Sequence, residues 1–89
     1  MVITEEEISK IFKQLLENLI ARENAQEWVS EIEELLEKEE PKFPRNNDED
    51  KILDALEYIQ MYALKENPQT YLFSKVDLSN YIKSNNWKV

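Results

Sequence analysis

The 89-residue chain has no cysteine, no histidine and no glycine, and only three prolines. Each absence removes a class of chemistry. Without Cys or His there is no disulfide frame, thiol nucleophile, zinc site, haem ligation or imidazole general base. Without Gly, the loops that bring bare backbone against a nucleotide phosphate cannot be built. No apolar stretch approaches the roughly 18–20 residues that a membrane span needs. The start, Met1 to Glu7, is acidic, where a secretory leader would be basic and then apolar. The expectation is a cytoplasmic protein without cofactor or structural metal.

Positive charge is the scarce sign. Asp and Glu number 19 against 11 Lys and Arg, a net charge of −8. Such a chain is repelled by nucleic acid and by anionic membrane surfaces and attracts basic proteins. The excess is local. Residues 23 to 57 hold 13 acids and 4 bases, while the rest of the chain is close to neutral.

Apolar residues at 42% and charged residues at 34% describe one globular domain spanning 1–89. The pattern predicts an all-α bundle of four helices at about 5–21, 24–39, 49–65 and 75–84. Thr4 and Glu7 form a capping box flanked by Ile3 and Ile8 as a hydrophobic staple. Ile8, Ile11, Phe12, Leu15, Leu16 and Leu19 then follow helical spacing. Ala25, Trp28, Val29, Ile32, Leu35 and Leu36 form a second stripe. At about 100° per residue it is rotated by roughly 140° from the first, so the chain breaks between them, near Ala21 to Asn24. Asn24 is a candidate cap, with Arg22 as an earlier start.

Pro41 and Pro44 bracket Phe43 in an extended surface linker at about 40–48, with Phe43 turned back onto the core. Asn47 or Asp48 caps the third helix, whose buried side is Ile52, Leu53, Leu56, Ile59 and Ala63. That helix is expected to stop at Asn67-Pro68, with Asn in the left-handed role that Gly usually fills. Ser74 and Asp77 form a second capping box, with Phe73 and Leu78 at its staple positions and Tyr81 and Ile82 following. No segment alternates for long enough to predict a strand.

The remaining functional groups do not assemble into a catalyst. Paired carboxylates hydrolyse glycosides only in a cleft that separates their environments, and here the acids fall on solvated helix sides. Asp54 and Glu57 have the three-residue spacing that any such side provides. Asn47 to Asp50 is dense in oxygen ligands but lacks the glycine turn and distal Glu of a calcium loop. Helical carboxylate metal sites need a Glu-x-x-His motif that this chain lacks. No enzyme is expected.

Glu23, Glu27, Glu31, Glu34 and Glu37 all project away from the Trp28 stripe. Several are like-charged pairs at i, i+4, each costing about 0.2–0.5 kcal/mol. A solvated helix usually mixes signs, so the alternatives are an acidic solubility device and a surface for a basic partner. Among the aromatics, Trp28 reads as a core anchor, and Tyr58 as a helix-edge residue beside the more buried Tyr62. Trp87 lies outside any periodic pattern and either folds over the core or offers an exposed contact.

Three stretches carry a resemblance: Arg22-Glu23-x-Ala25-x-x-Trp28, then Asp48, Lys51, Ile52, Ala55, Leu56 and Ile59, then Tyr71, Leu72, Asp77, Leu78, Tyr81 and Ile82. Together they resemble a group of small acidic bacterial proteins of uncharacterised function, similar to immunity proteins that accompany secreted toxins. The group favours Ser or Thr where this chain has Ala21. The resemblance implies a shared fold more than a shared site; with the acidic face, the expectation is a non-catalytic protein that binds and occludes a basic partner. The residues expected at such an interface are Glu23, Glu27, Glu31, Glu34 and Glu37, with Tyr58 and Trp87. The alternative is a structural or adaptor protein that self-associates, as a homodimer, through Tyr58 and Trp87.

Overall fold

The computed structural model describes residues 3–38 and 48–89, the side chains of Leu36 and Glu37 excepted. It contains four helices, α1 (Glu5–Leu16), α2 (Arg22–Lys38), α3 (Glu49–Tyr62) and α4 (Lys75–Ser84). Between α3 and α4 lies an antiparallel hairpin of β1 (Lys65–Asn67) and β2 (Thr70–Tyr71). The all-α four-helix architecture is as expected, and the hairpin is an addition to it. The linker with Phe43 falls on 39–47, outside the described residues.

Thr4 caps α1, its Oγ1 accepting from the Glu7 N–H at 3.2 Å. Ile3 and Ile8 are both buried across that cap, as a staple requires. The helix ends at Leu16 rather than near Ala21, because Asn18 turns left-handed with φ 59°. Leu19 N–H then bonds Gln14 O at 2.9 Å and Asn18 N–H bonds Leu15 O at 3.3 Å, the two bonds of a Schellman close. Leu19, expected on the buried stripe, is thereby swung outward and is 66% exposed.

α2 begins at Arg22, so Asn24 is not its cap. Ala21 precedes the helix with no side chain to offer, and Asn24 Oδ1 accepts from the Ala21 N–H at 3.1 Å. That bond is one half of a capping box, in which the third helical residue reaches back. Ala25, Val29 and Ile32 are buried. Trp28 is only half-buried and packs at the margin of the core, beside a depression lined by Glu7, Lys10, Ile11 and Gln14.

Asp48 caps α3, its carboxylate accepting from the Lys51 N–H at 3.1 Å. Ile52, Ala55, Leu56, Ile59, Tyr62 and Ala63 are buried, but Leu53 lies off this stripe and is 37% exposed. α3 ends at Tyr62 instead of 65, and Asn67-Pro68 forms the hairpin turn instead of a helix stop. Asn67 has no left-handed φ; its Oδ1 accepts from the Gln69 N–H at 2.9 Å, and Pro68 supplies the fixed φ that a turn's second position favours.

Ser74 and Asp77 form the complete reciprocal box at the start of α4, with Asp77 N–H to Ser74 Oγ at 3.2 Å and Ser74 N–H to Asp77 Oδ2 at 2.7 Å. The Ser74 backbone and hydroxyl donors hold the Asp77 carboxyl below its ordinary range. A lowered pKa means stabilisation that is present above the unfolded value and lost as pH falls through the folded one. Asp77→Asn should therefore melt below the parent protein at neutral pH, and the gap should close as both are acidified. Thermal melts from about pH 7 down to pH 2 would check this. A gap independent of pH would count against it.

At the far end of α4, Asn86 repeats the device of Asn18 with φ 58°. Asn86 N–H bonds Lys83 O at 3.2 Å and Trp87 N–H bonds Ile82 O at 2.9 Å, a second Schellman close. It turns Trp87 back onto the core, where it is 6% exposed.

The core then organises a ladder of rings that crosses the molecule. Tyr71 lies against the Arg22 guanidinium at 4.0 Å, and Arg22 lies over Tyr62 at 3.8 Å. Tyr62 neighbours Tyr58 at 6.3 Å, and Tyr58 stacks on Tyr81 at 3.8 Å with 7° between planes. Tyr81 meets Phe12 edge-on at 5.9 Å, Phe12 meets Trp87 edge-on at 5.6 Å, and Lys51 Nζ caps the Trp87 ring at 4.4 Å. Every helix contributes at least one rung.

Candidate protein-binding surface

The acids of α2 divide into two sets. Glu23 accepts from the Tyr71 hydroxyl at 2.5 Å, and Glu33 accepts from Gln60 Nε2 at 2.9 Å. These two tie α2 to the hairpin and to α3. The Tyr71 hydrogen bond is the main cause holding the Glu23 carboxyl low, and the same bond raises the Tyr71 hydroxyl. Glu27, Glu31 and Glu34 are exposed and make no ion pair or hydrogen bond among the described residues. Their positions, four and three apart, place them on the side of α2 opposite buried Ala25, Val29 and Ile32. Glu37 lies on the same helix, its side chain outside the described residues.

Glu23 is therefore placed at the edge of the acidic face and is already engaged. Of the two alternatives for Trp87 the structure has the one folded over the core: the Asn86 turn buries it, so its expected place as an exposed contact is not met. Tyr58 is half-buried within the ladder, stacked on Tyr81 and neighbouring Tyr62 and Phe73. Burial raises its hydroxyl pKa, as it does that of Tyr62. The aromatic surface needed for self-association is thus largely spent inside the fold.

Arg22, read from the sequence only as a helix start and a member of the shared pattern, has a bridging role that spacing did not show. Its Nη1 donates to Tyr62 O at 3.1 Å and to Phe73 O at 2.5 Å, while its plane lies between the Tyr62 and Tyr71 rings. One guanidinium thus joins the start of α2 to the end of α3 and the entry to α4. Its signal in the sequence was its isolation as the one base between Lys13 and Lys38.

Asp54 and Tyr81 also pair, the Tyr81 hydroxyl donating to Asp54 Oδ2. Burial first, and this bond second, push that hydroxyl far above its usual range. Among the described residues no group of three or more acids gathers as a metal ion would need, and no helix is long and apolar enough to cross a membrane.

Comparison with known proteins gives no relative: no family model, curated protein or solved structure matches the chain.

Proposed function

We propose that this is a non-catalytic binding protein that presents the outer face of α2 to a basic protein partner, in the manner of a small immunity or inhibitor protein. The observation that carries the reading is the unpaired set Glu27, Glu31 and Glu34. Each of these repels its neighbours and closes no ion pair among the described residues, whereas Glu23 and Glu33 on the same helix have hydrogen-bond partners. A complementary cation relieves that repulsion on binding. The acidic field also speeds encounter, which is the main effect of rim charges on association.

Exchange of Glu27, Glu31 and Glu34 for Gln keeps size and helix propensity. Stability should rise by a few tenths of a kcal/mol, since the lost like-charge pairs outweigh the lost attraction of Glu34 for Lys38. Peptide-display selection on the immobilised protein should enrich basic sequences. An enriched peptide should associate with the triple variant several-fold more slowly at low salt, and the difference should close as ionic strength rises. Enrichment of sequences without bases, or equal association rates, would remove the acidic face from the account.

A further inference from the structure

Between α3 and α4 lies a groove of about 220 Å³ lined by Asp54, Glu57, Tyr58, Met61 and Tyr81. We propose that this groove takes an arginine side chain of the basic partner; the inference rests on the reading above and names a second contact for it.

The lining divides the labour that an arginine requires. The stacked Tyr58 and Tyr81 rings and Met61, a residue 37% exposed, supply apolar surface against which the aliphatic stem packs. Asp54 and Glu57, three apart on α3, supply the acceptors. The Tyr81 hydroxyl donates to Asp54 Oδ2, which fixes that carboxylate and leaves its other oxygen for an incoming N–H. A planar guanidinium with five donors can bond two carboxylates at once; a lysine ammonium meets them as a point charge.

Charge separates this groove from two other depressions on the molecule. One is lined by Glu5 and Glu6 together with Lys51 and Lys88, the other by Glu7 together with Lys10, so each carries bases of its own. The α3–α4 groove carries two acids and no base. The chain itself shows the matching chemistry in Arg22, held between tyrosine rings with carbonyl oxygens as acceptors. Beyond Met61, Leu64 and Leu72 are half-exposed and joined by Leu72 N–H to Leu64 O at 3.0 Å. They suit apolar residues flanking the arginine. The Glu33–Gln60 bond sets α3 directly beside α2.

The test is an NMR titration of the full chain, labelled at the Met61 methyl, the tyrosine rings and the backbone amides. The probe is acetyl-Leu-Arg-Leu-amide, with the lysine and citrulline analogues as comparisons. Citrulline keeps the shape of arginine without its charge. The Met61 and Tyr58 and Tyr81 ring signals should shift saturably with the arginine peptide, more weakly with lysine, and at least about tenfold more weakly with citrulline. Glu57→Gln should weaken the arginine peptide about three- to fivefold with the melting temperature unchanged. Replacing Glu27, Glu31 and Glu34 by Gln should leave the groove shifts in place. Shifts confined to α2 amides, or equal response to citrulline, would overturn the groove and leave the acidic face standing. No response at either surface would overturn both.

Discussion

Replacing Arg22 by alanine is expected to cost about 2–4 kcal/mol, lowering the thermal midpoint on the order of 10 °C or more. Two charge-assisted hydrogen bonds end on the Tyr62 and Phe73 carbonyls, and the guanidinium plane also fills the space between the Tyr62 and Tyr71 rings. Hydrogen bonds to charged groups contribute about 1.5–3 kcal/mol each, and a partly exposed cation–ring contact about 0.5–1 kcal/mol. Solvent access to Arg22 trims the sum to the range given. Arg22→Lys keeps the charge but lacks the flat fork that bridges two carbonyls while lying between rings, so it should recover less than half of the loss. Thermal denaturation, with the near-ultraviolet tyrosine signal as a second probe, measures both variants. A midpoint within a degree or two of the parent would show that the α2–α3–α4 junction does not depend on this side chain.

The second large effect is at Phe12, which is fully buried in α1 and stands between Tyr81 and Trp87. Phe12→Ala should destabilise by about 3–5 kcal/mol, the transfer loss plus a cavity that rigid ring neighbours close poorly. For a domain of this size total stability is roughly 4–13 kcal/mol, so a large share of it goes with one side chain. Trp87 loses the ring it rests on, and its fluorescence should shift to the red even below the unfolding transition. Trp28 lies elsewhere at the core margin, and a Trp28→Phe background isolates the signal. Phe12→Leu refills most of the volume and should recover most of the stability. An unchanged Trp87 emission in the alanine variant would contradict the ladder's geometry.

What the sequence disclosed followed from local rules. The caps at Thr4, Asp48 and Ser74 were legible because the satisfaction of a helix's first donors is decided within a few residues. The limits of α4 were legible for the same reason. The end of α1 was not. Its apolar spacing continues to Leu19, and only Asn18 in a left-handed conformation interrupts it, which asparagine in a glycine-free chain adopts without announcing it. The hairpin was hidden because its strands are short and mostly exposed, and alternation over so few residues is indistinguishable from loop. Of the surface, the acidity of α2 was plain, but which glutamates are occupied depends on Tyr71 and Gln60, far along the chain. Asp54, Glu57, Tyr58 and Met61 share one face of α3 by their spacing, but Tyr81 joins them only through the packing of α4 against α3, which spacing along one helix cannot report. Trp87 was undecided because its direction is set by the Asn86 backbone and not by any periodicity.

The ring ladder has a consequence for the order in which the chain assembles. Its last rungs join Phe12, near one end, to Trp87, near the other. A helical chain whose contacts were all local would fold quickly, since each pairing closes only a short loop. Joining residues separated by almost the whole chain costs loop entropy before any contact is gained, and helices formed between them shorten the span to be closed. The two termini are therefore sewn together late, by aromatic rings rather than by strands or a covalent link. Opening that seam would uncover Phe12 and Trp87 together, since both rings are buried and each lies against the other.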